Sequence, residues 1–99
     1  MEIFIANRLS NGNSLFPVEL HIDDTELLIV KPALAFLTSG MNKSIKYKNI
    51  TSVEVISPRF SFSKIVISCY GLDKITVEGF EQAKAEEAAR LIRKNMKGL

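Results

Sequence analysis

The chain has 99 residues, of which 46% are hydrophobic, and a formal net charge of +2 at pH 7. This size and apolar content suit one small globular domain and leave no room for a second. Its apolar runs are shorter than the roughly 18 residues of a membrane span, and its first residues lack the basic start of a secretory signal, so we expect a cytoplasmic protein. Its one cysteine, Cys69, excludes an internal disulfide and a cysteine-rich metal site.

The charge is distributed unevenly along the chain. Residues 1–40 carry two basic and five acidic side chains, net −3, whereas residues 41–99 carry eleven basic and six acidic side chains, net +5. This asymmetry permits an anionic partner for the second half. Lysines scattered on solvated strand faces would also account for it.

Short strands and turns dominate the first half of the chain. Residues 2–9 predict a short strand or an ordered arm, which ends at the Asn- and Gly-rich turn signal of residues 10–14. Residues 15–22 alternate between apolar and polar side chains and predict a strand. A turn at residues 23–25 precedes the apolar run of residues 27–30, and a second apolar run covers residues 33–37.

The second half has the cleaner alternation. Residues 44–48, 52–55, 64–70 and 74–78 each predict a half-buried strand, because every second side chain is apolar. The side chains that we expect to face the core are Ile45, Tyr47, Val53, Val55, Ile65, Ile67, Cys69, Ile75 and Val77.

The last fifth of the chain, residues 80–99, has a helical period. Its polar positions carry glutamates near the start and basic residues near the end, which complements the helix macrodipole. Each such charge contributes only a few tenths of a kcal/mol, so we expect packing of the apolar face to hold the helix in place. That face comprises Ala85, Ala88, Ala89, Ile92, Met96 and Leu99.

Six or seven strands at a spacing of about 8 to 12 residues, followed by one helix, predict a mainly β fold. We expect a strongly bent antiparallel sheet or small barrel whose open end is closed by the amphipathic helix. The whole chain, residues 1–99, then forms a single domain, with an N-terminal strand or arm at 1–14, strands at 15–79 and the capping helix at 80–99.

One segment carries a family resemblance. Residues 45–55, with the sequence IKYKNITSVEV, are followed by two strands, by Gly79-Phe80 and by an Ala-rich terminal helix. This arrangement resembles the bacterial pleckstrin-homology-like (PH-like) domains from about residue 15 onward. The resemblance implies a seven-stranded bent barrel capped by a C-terminal helix, and the binding of lipid headgroups, peptides or proteins instead of catalysis.

The phosphoinositide-binding pattern of pleckstrin-homology domains does not carry over to this chain. In that pattern, basic residues surround the loop between the first two strands. If the strand at residues 15–22 is the first one, the loop is Asp23-Asp24-Thr25-Glu26, which would repel a phosphate. If residues 2–9 form the first strand, the loop offers only Arg8.

A basic strand face is a candidate site for anions or lipid. Lys43, Lys46 and Lys48 are predicted to line the outward face of one strand, where Arg59 and Lys64 could join them. Such a patch would attract anionic lipid with about 1 kcal/mol per charge. The alternative is a solvated strand face that discourages edge pairing.

An aromatic group is a candidate partner surface. Phe60, Phe62 and Tyr70 share the strand parity of Lys64, opposite to the predicted core set, and would therefore be exposed. The alternative is that a bulge or turn near Ser63 resets the parity and buries the two phenylalanines.

No catalytic or metal-binding constellation can be assembled from the sequence. Cys69 lies on a core face and is predicted to be a buried, unreactive thiol. His21 has no second ligand and no partner nucleophile, and Asp23-Asp24 is explained by turn formation. The glycines are isolated, so no loop is predicted to hold a phosphate. We therefore expect no enzyme activity, no metal, no cofactor and no small-molecule substrate.

The sequence thus favours a non-enzymatic binding or scaffolding domain that recognises a protein partner or a second copy of itself. The alternative is peripheral binding to anionic membrane lipid through the basic strand face. Nucleic acid is disfavoured as a partner, because the aromatic residues do not interleave with the basic ones as stacking platforms would.

Overall fold

The computed structural model describes residues 1–6, 18–31, 41–71 and 74–98. The predicted turn at residues 10–14, the apolar run at 33–37 and Leu99 lie outside the described residues. Within them, the mainly β fold with one C-terminal helix is confirmed.

Seven strands form two antiparallel sheets, with the strand orders β1-β2-β3-β4 and β5-β6-β7. A 3-10 turn at Tyr47–Asn49 joins the first sheet to the second, and the helix α1 follows β7. The elements are β1 Glu2–Ile5, β2 Glu19–Ile22, β3 Glu26–Lys31, β4 Met41–Lys46, β5 Ile50–Ile56, β6 Ser63–Cys69, β7 Ile75–Phe80 and α1 Gln82–Lys97.

The first sheet resolves the continuous apolar run of residues 27–30 into two faces. Leu27 pairs with Ile22 and Ile29 pairs with Leu20, and these four side chains are buried between the sheets and the helix. Leu28 and Val30 point to the opposite face and are half-buried. The run therefore behaves as an ordinary two-faced strand, although its sequence lacks the polar alternation that marks one.

The second sheet contains a bulge on β7. Ser63 pairs with Phe80 whereas the next residue, Lys64, pairs with Glu78, so Gly79 is the extra residue. Gly79 has φ of 95°, which a residue without a Cβ adopts at little cost. The bulge allows both Val77 and Phe80 to point into the core, where both are buried.

The helix α1 covers the core as predicted, over a shorter range than residues 80–99, because Phe80 ends β7 and Glu81 is the N-cap. Its alanines 85, 88 and 89 and Ile92 are fully buried, and Met96 is half-buried. The alanines let the helix backbone lie close to the second sheet, which it contacts mainly at β5. Burial of Ile92 contributes about 1.5–3 kcal/mol.

Tyr47 ties the corner between the sheets to the helix. Its hydroxyl donates to the Asp23 carbonyl oxygen at 2.6 Å, and Asn95 Nδ2 donates to the same oxygen at 3.1 Å. The prediction of a strand over residues 44–48 is wrong at its end, since Tyr47 and Lys48 lie in the 3-10 turn. Tyr47 is nevertheless buried, as its parity with Ile45 predicted.

Candidate binding surfaces

The loop between β5 and β6 exposes an aromatic side chain. Phe60 is 95% exposed, and Ile56, the last residue of β5, is 44% exposed. The Ser57 and Ser63 hydroxyls are hydrogen-bonded at 2.8 Å and close the base of the loop. Phe60 therefore extends from an ordered base into solvent.

Phe60 and Phe62 were predicted to be either exposed together or buried together by a bulge or turn near Ser63. Ser63, Ile65 and Ile67 are all buried, so the parity of β6 is not reset at its start, and the bulge lies on β7 instead. Phe60 is exposed, whereas Phe62 is half-buried.

Tyr70 does not belong to the same surface. It is 69% exposed, but it follows the last residue of β6, at the opposite end of that strand from Phe62. At about 3.3 Å per residue, the two positions are about 25 Å apart. The prediction of one surface containing Phe60, Phe62 and Tyr70 is therefore corrected to a loop surface without Tyr70.

The basic residues of the first sheet do not share one face. Lys46 pairs with Glu26, whereas Lys43 pairs with Ile29, on the opposite face of β4. Lys48 lies in the 3-10 turn. The prediction that all three lysines share one outward strand face is thus wrong, because an odd separation of three residues places Lys43 and Lys46 on opposite faces.

Arg59 and Lys64 lie near the exposed phenylalanine. Arg59 precedes Phe60 in the loop, and Lys64 lies on the outer face of β6, paired with Ile56 on one side and Glu78 on the other. These two cations therefore accompany the aromatic loop and are not part of a patch with the β4 lysines.

A group of exposed basic side chains on α1 borders a shallow cleft, open to solvent, that the sequence interpretation did not single out. The cleft has a volume of about 370 Å³ and is lined by Arg90, Arg93, Lys94 and Lys97. The available signal was their common position on the polar side of the helical projection, which was attributed to the macrodipole.

The two arginines of this cleft have fixed partners. The Arg90 guanidinium donates both Nε, at 3.1 Å, and Nη2 to the Glu87 carboxylate. This hydrogen bonding lowers the pKa of Glu87. The Arg93 guanidinium donates to the Val53 carbonyl oxygen of β5, an edge strand of the second sheet.

Two other titratable side chains, Cys69 and His21, have surroundings typical of structural residues. Burial raises the pKa of the Cys69 thiol, with partial opposition from the Lys43 charge, so the thiol is protonated and weakly nucleophilic at neutral pH. His21 Nε2 is 2.9 Å from Glu19 Oε1 on the outer face of the first sheet. Among the described residues, no group of three or more His, Cys, Asp or Glu side chains is arranged to hold a metal ion.

The two antiparallel sheets of four and three strands, closed by a C-terminal helix, define the pleckstrin-homology-like class of folds. The model of the family described as "Bacterial PH domain" matches residues 4–94, and the chain belongs to this family. The resemblance noted in the sequence is thereby confirmed. No curated protein matches the chain.

Membership of this family places the chain among domains that are generally binding modules without catalytic activity. In the part of the chain that the structure describes, α1 is too short and too polar to span a bilayer.

Proposed function

We propose that this chain is a non-enzymatic binding module that docks a protein partner through the β5–β6 loop, with Phe60 as the anchoring side chain. The observation that carries the proposal is the 95% exposure of Phe60, the highest among the large hydrophobic side chains of the described residues. An exposed aromatic residue beside an arginine is typical of an interface anchor.

The geometry of the loop supports an anchor role. Burying a phenylalanine side chain in a partner's pocket would contribute about 1.5–3 kcal/mol. The Ser57–Ser63 hydrogen bond holds the base of the loop, which reduces the entropy that docking would cost. Ile56 and the half-buried Phe62 extend the apolar area, and Arg59 can hydrogen-bond to the rim of the partner's pocket.

We assign no catalytic role to this module and place it in the cytoplasm. The single cysteine, which can form no internal disulfide, fits a reducing compartment.

A second candidate is docking of the same loop to an anionic membrane. Arg59 and Lys64 flank Phe60, and each cation near such a surface contributes about 1 kcal/mol, while the phenyl ring would enter the headgroup boundary. In this candidate, the lipid-binding surface is the β5–β6 loop and not the lysines of β4.

Site-specific photocrosslinking tests the protein-partner proposal. A benzophenone amino acid is introduced at position 60 of the full chain in the native host, and the matched control carries it at position 70, an exposed aromatic position at the other end of β6. We expect a discrete adduct on irradiation for position 60 and none for position 70. An adduct with twice the mass of the chain would identify a second copy as the partner. Absence of an adduct at position 60, or the same adduct at both positions, would contradict the proposal.

Tryptophan fluorescence tests the membrane candidate. The chain contains no tryptophan, so Phe60→Trp provides a single reporter at the loop. If the loop docks to membranes, its emission shifts to the blue with vesicles containing phosphatidylglycerol, and added salt reverses the shift. Unchanged emission with these vesicles would exclude membrane docking by this loop.

A further inference from the structure

The C-terminal half of α1 concentrates positive charge along one line. The basic residues that follow Arg90 by three, four and seven positions are Arg93, Lys94 and Lys97. All four therefore share one face over about 10 Å of helix. Together with Glu87 they make four cations and one carboxylate, net +3. Neighbouring like charges at this spacing repel one another, and the macrodipole offsets this repulsion only in the last turn.

The four cations fall into two functional pairs. The guanidinium groups are positioned, Arg90 by Glu87 and Arg93 by the Val53 carbonyl oxygen. Lys94 and Lys97 have no ion-pair partner within the described part of the chain. The cleft therefore combines two guanidinium groups held in place by intramolecular hydrogen bonds with two ammonium groups that can move towards a ligand.

We propose that this cleft docks an acidic, extended segment of a partner protein. The line of cations spans about 10 Å, which three or four residues of extended chain would cover, and the alternate side chains that face the helix can bring two carboxylates to the cations. The guanidinium N–H groups that Glu87 and Val53 leave unoccupied can donate to these carboxylates beside the two ammonium groups, and electrostatic complementarity of this kind fixes the register of a partner.

Other anions fit the cleft less well. No aromatic side chain is among its described lining residues, so the bases of a nucleic acid would have no stacking platform. A small phosphate is usually held by free backbone N–H groups at a helix N-terminus, whereas this cleft lies over the C-terminal half of α1, where the unpaired backbone groups are carbonyls.

The site is separate from the aromatic loop. Asn95 lies on the same half of α1 as the cleft, and it shares the Asp23 carbonyl oxygen with Tyr47. Tyr47 lies in the 3-10 turn that precedes the start of β5. Phe60 follows the other end of β5. The proposal thus goes beyond the loop-mediated docking and stands or fails independently of it.

Fluorescence anisotropy with a labelled peptide of about ten glutamates tests the proposal on the full chain. The test variant is Lys94→Glu with Lys97→Glu, and the matched control is Lys46→Glu with Lys48→Glu, which changes the net charge equally at exposed positions elsewhere. We expect wild type to bind the peptide at about 50 mM salt and to weaken steeply with added salt. The helix variant should bind at least about tenfold more weakly, and the control should stay within about threefold of wild type.

Competitors and a milder variant complete the design. Pyrophosphate, single-stranded DNA and phosphatidylglycerol vesicles should each displace the peptide less well than unlabelled peptide at equal charge concentration. Lys94→Gln with Lys97→Gln, whose melting temperature should stay near that of wild type, should show an intermediate loss of affinity. Equal losses in the helix variant and the control, no peptide binding by wild type, or tighter binding of any competitor would overturn the proposal.

Discussion

At the scale of single residues, Tyr47 illustrates how one hydroxyl connects three elements. Its ring fills the core at the corner between the sheets, and its hydroxyl shares the Asp23 carbonyl oxygen with Asn95 of α1. Burial raises the pKa of the phenol, the Asn95 side chain partly opposes this, and the nearby acidic groups Asp23, Asp24 and Glu26 act in the same direction as burial. The folded state therefore favours the neutral phenol, which can donate the hydrogen bond.

Tyr47→Phe should destabilise the fold at neutral pH and should do so less at high pH. Loss of the hydrogen bond costs about 0.5–1.5 kcal/mol at pH 7. Because the pKa of Tyr47 in the folded state is above its ordinary value of about 10, the stability it contributes is complete below about pH 10 and is lost as the pH rises through the folded-state pKa. Urea unfolding of both proteins at pH 7 and about 10.5 measures this change.

The matched control is Tyr70→Phe, which removes the hydroxyl of an exposed tyrosine and should leave the free energy of unfolding at pH 7 within about 0.5 kcal/mol of wild type. A difference between wild type and Tyr47→Phe that stays constant across this pH range would show that ionisation of the buried phenol does not affect folding.

Single residues also show the limit of parity arguments from sequence. Alternation correctly assigned Ile65, Ile67 and Cys69 to the core, because β6 keeps a strict period of two. It could not locate the β7 bulge, because an isolated glycine marks a turn, an element end or a bulge equally well. Lys43 was placed with Lys46 on the outward face of one strand, although their separation of three residues already put them on opposite faces of β4.

At the scale of elements, α1 combines a packing face with a charged face. The packing face was predictable because its period is sustained over four turns. The cleft on the charged face was not, because a helical projection gives no information about which cations find partners. Each charge at the helix ends was expected to contribute only a few tenths of a kcal/mol, but the bond from Arg93 to the Val53 carbonyl oxygen predicts that Arg93→Ala lowers the free energy of unfolding by about 1 kcal/mol.

The small residues of α1 predict that a larger side chain destabilises the protein. Ala88 is fully buried, so Ala88→Leu would force α1 away from the second sheet and should lower the free energy of unfolding by about 1–3 kcal/mol. Helix propensity and hydrophobicity alone would predict little change or a gain. Lys84→Leu is the control, since Lys84 is exposed on the same helix. Equal melting temperatures for the two variants would show that the helix does not pack closely on the sheet.

At the scale of the whole molecule, one core joins both sheets and the helix. Leu20 of the first sheet, Ile67 of the second and Ile92 of α1 are all fully buried in the same cluster. No sheet has a separate core, so the described parts should unfold together in one transition. The edge strand β1 is expected to open separately from this transition, because Ile3 and Ile5 are each about half exposed.

Native-state hydrogen exchange followed by NMR would test this cooperativity. Amides of β2, β6 and α1 should exchange with one common free energy, equal to that of global unfolding, whereas amides of β1 should exchange faster through local opening. Ile92→Ala should lower the common value in all three elements by the same amount, about 2–5 kcal/mol, and should leave the local opening of β1 nearly unchanged. If α1 exchanged well before β6, the helix would be a separable lid, and docking at its basic cleft could be coupled to detachment of the helix from the two sheets.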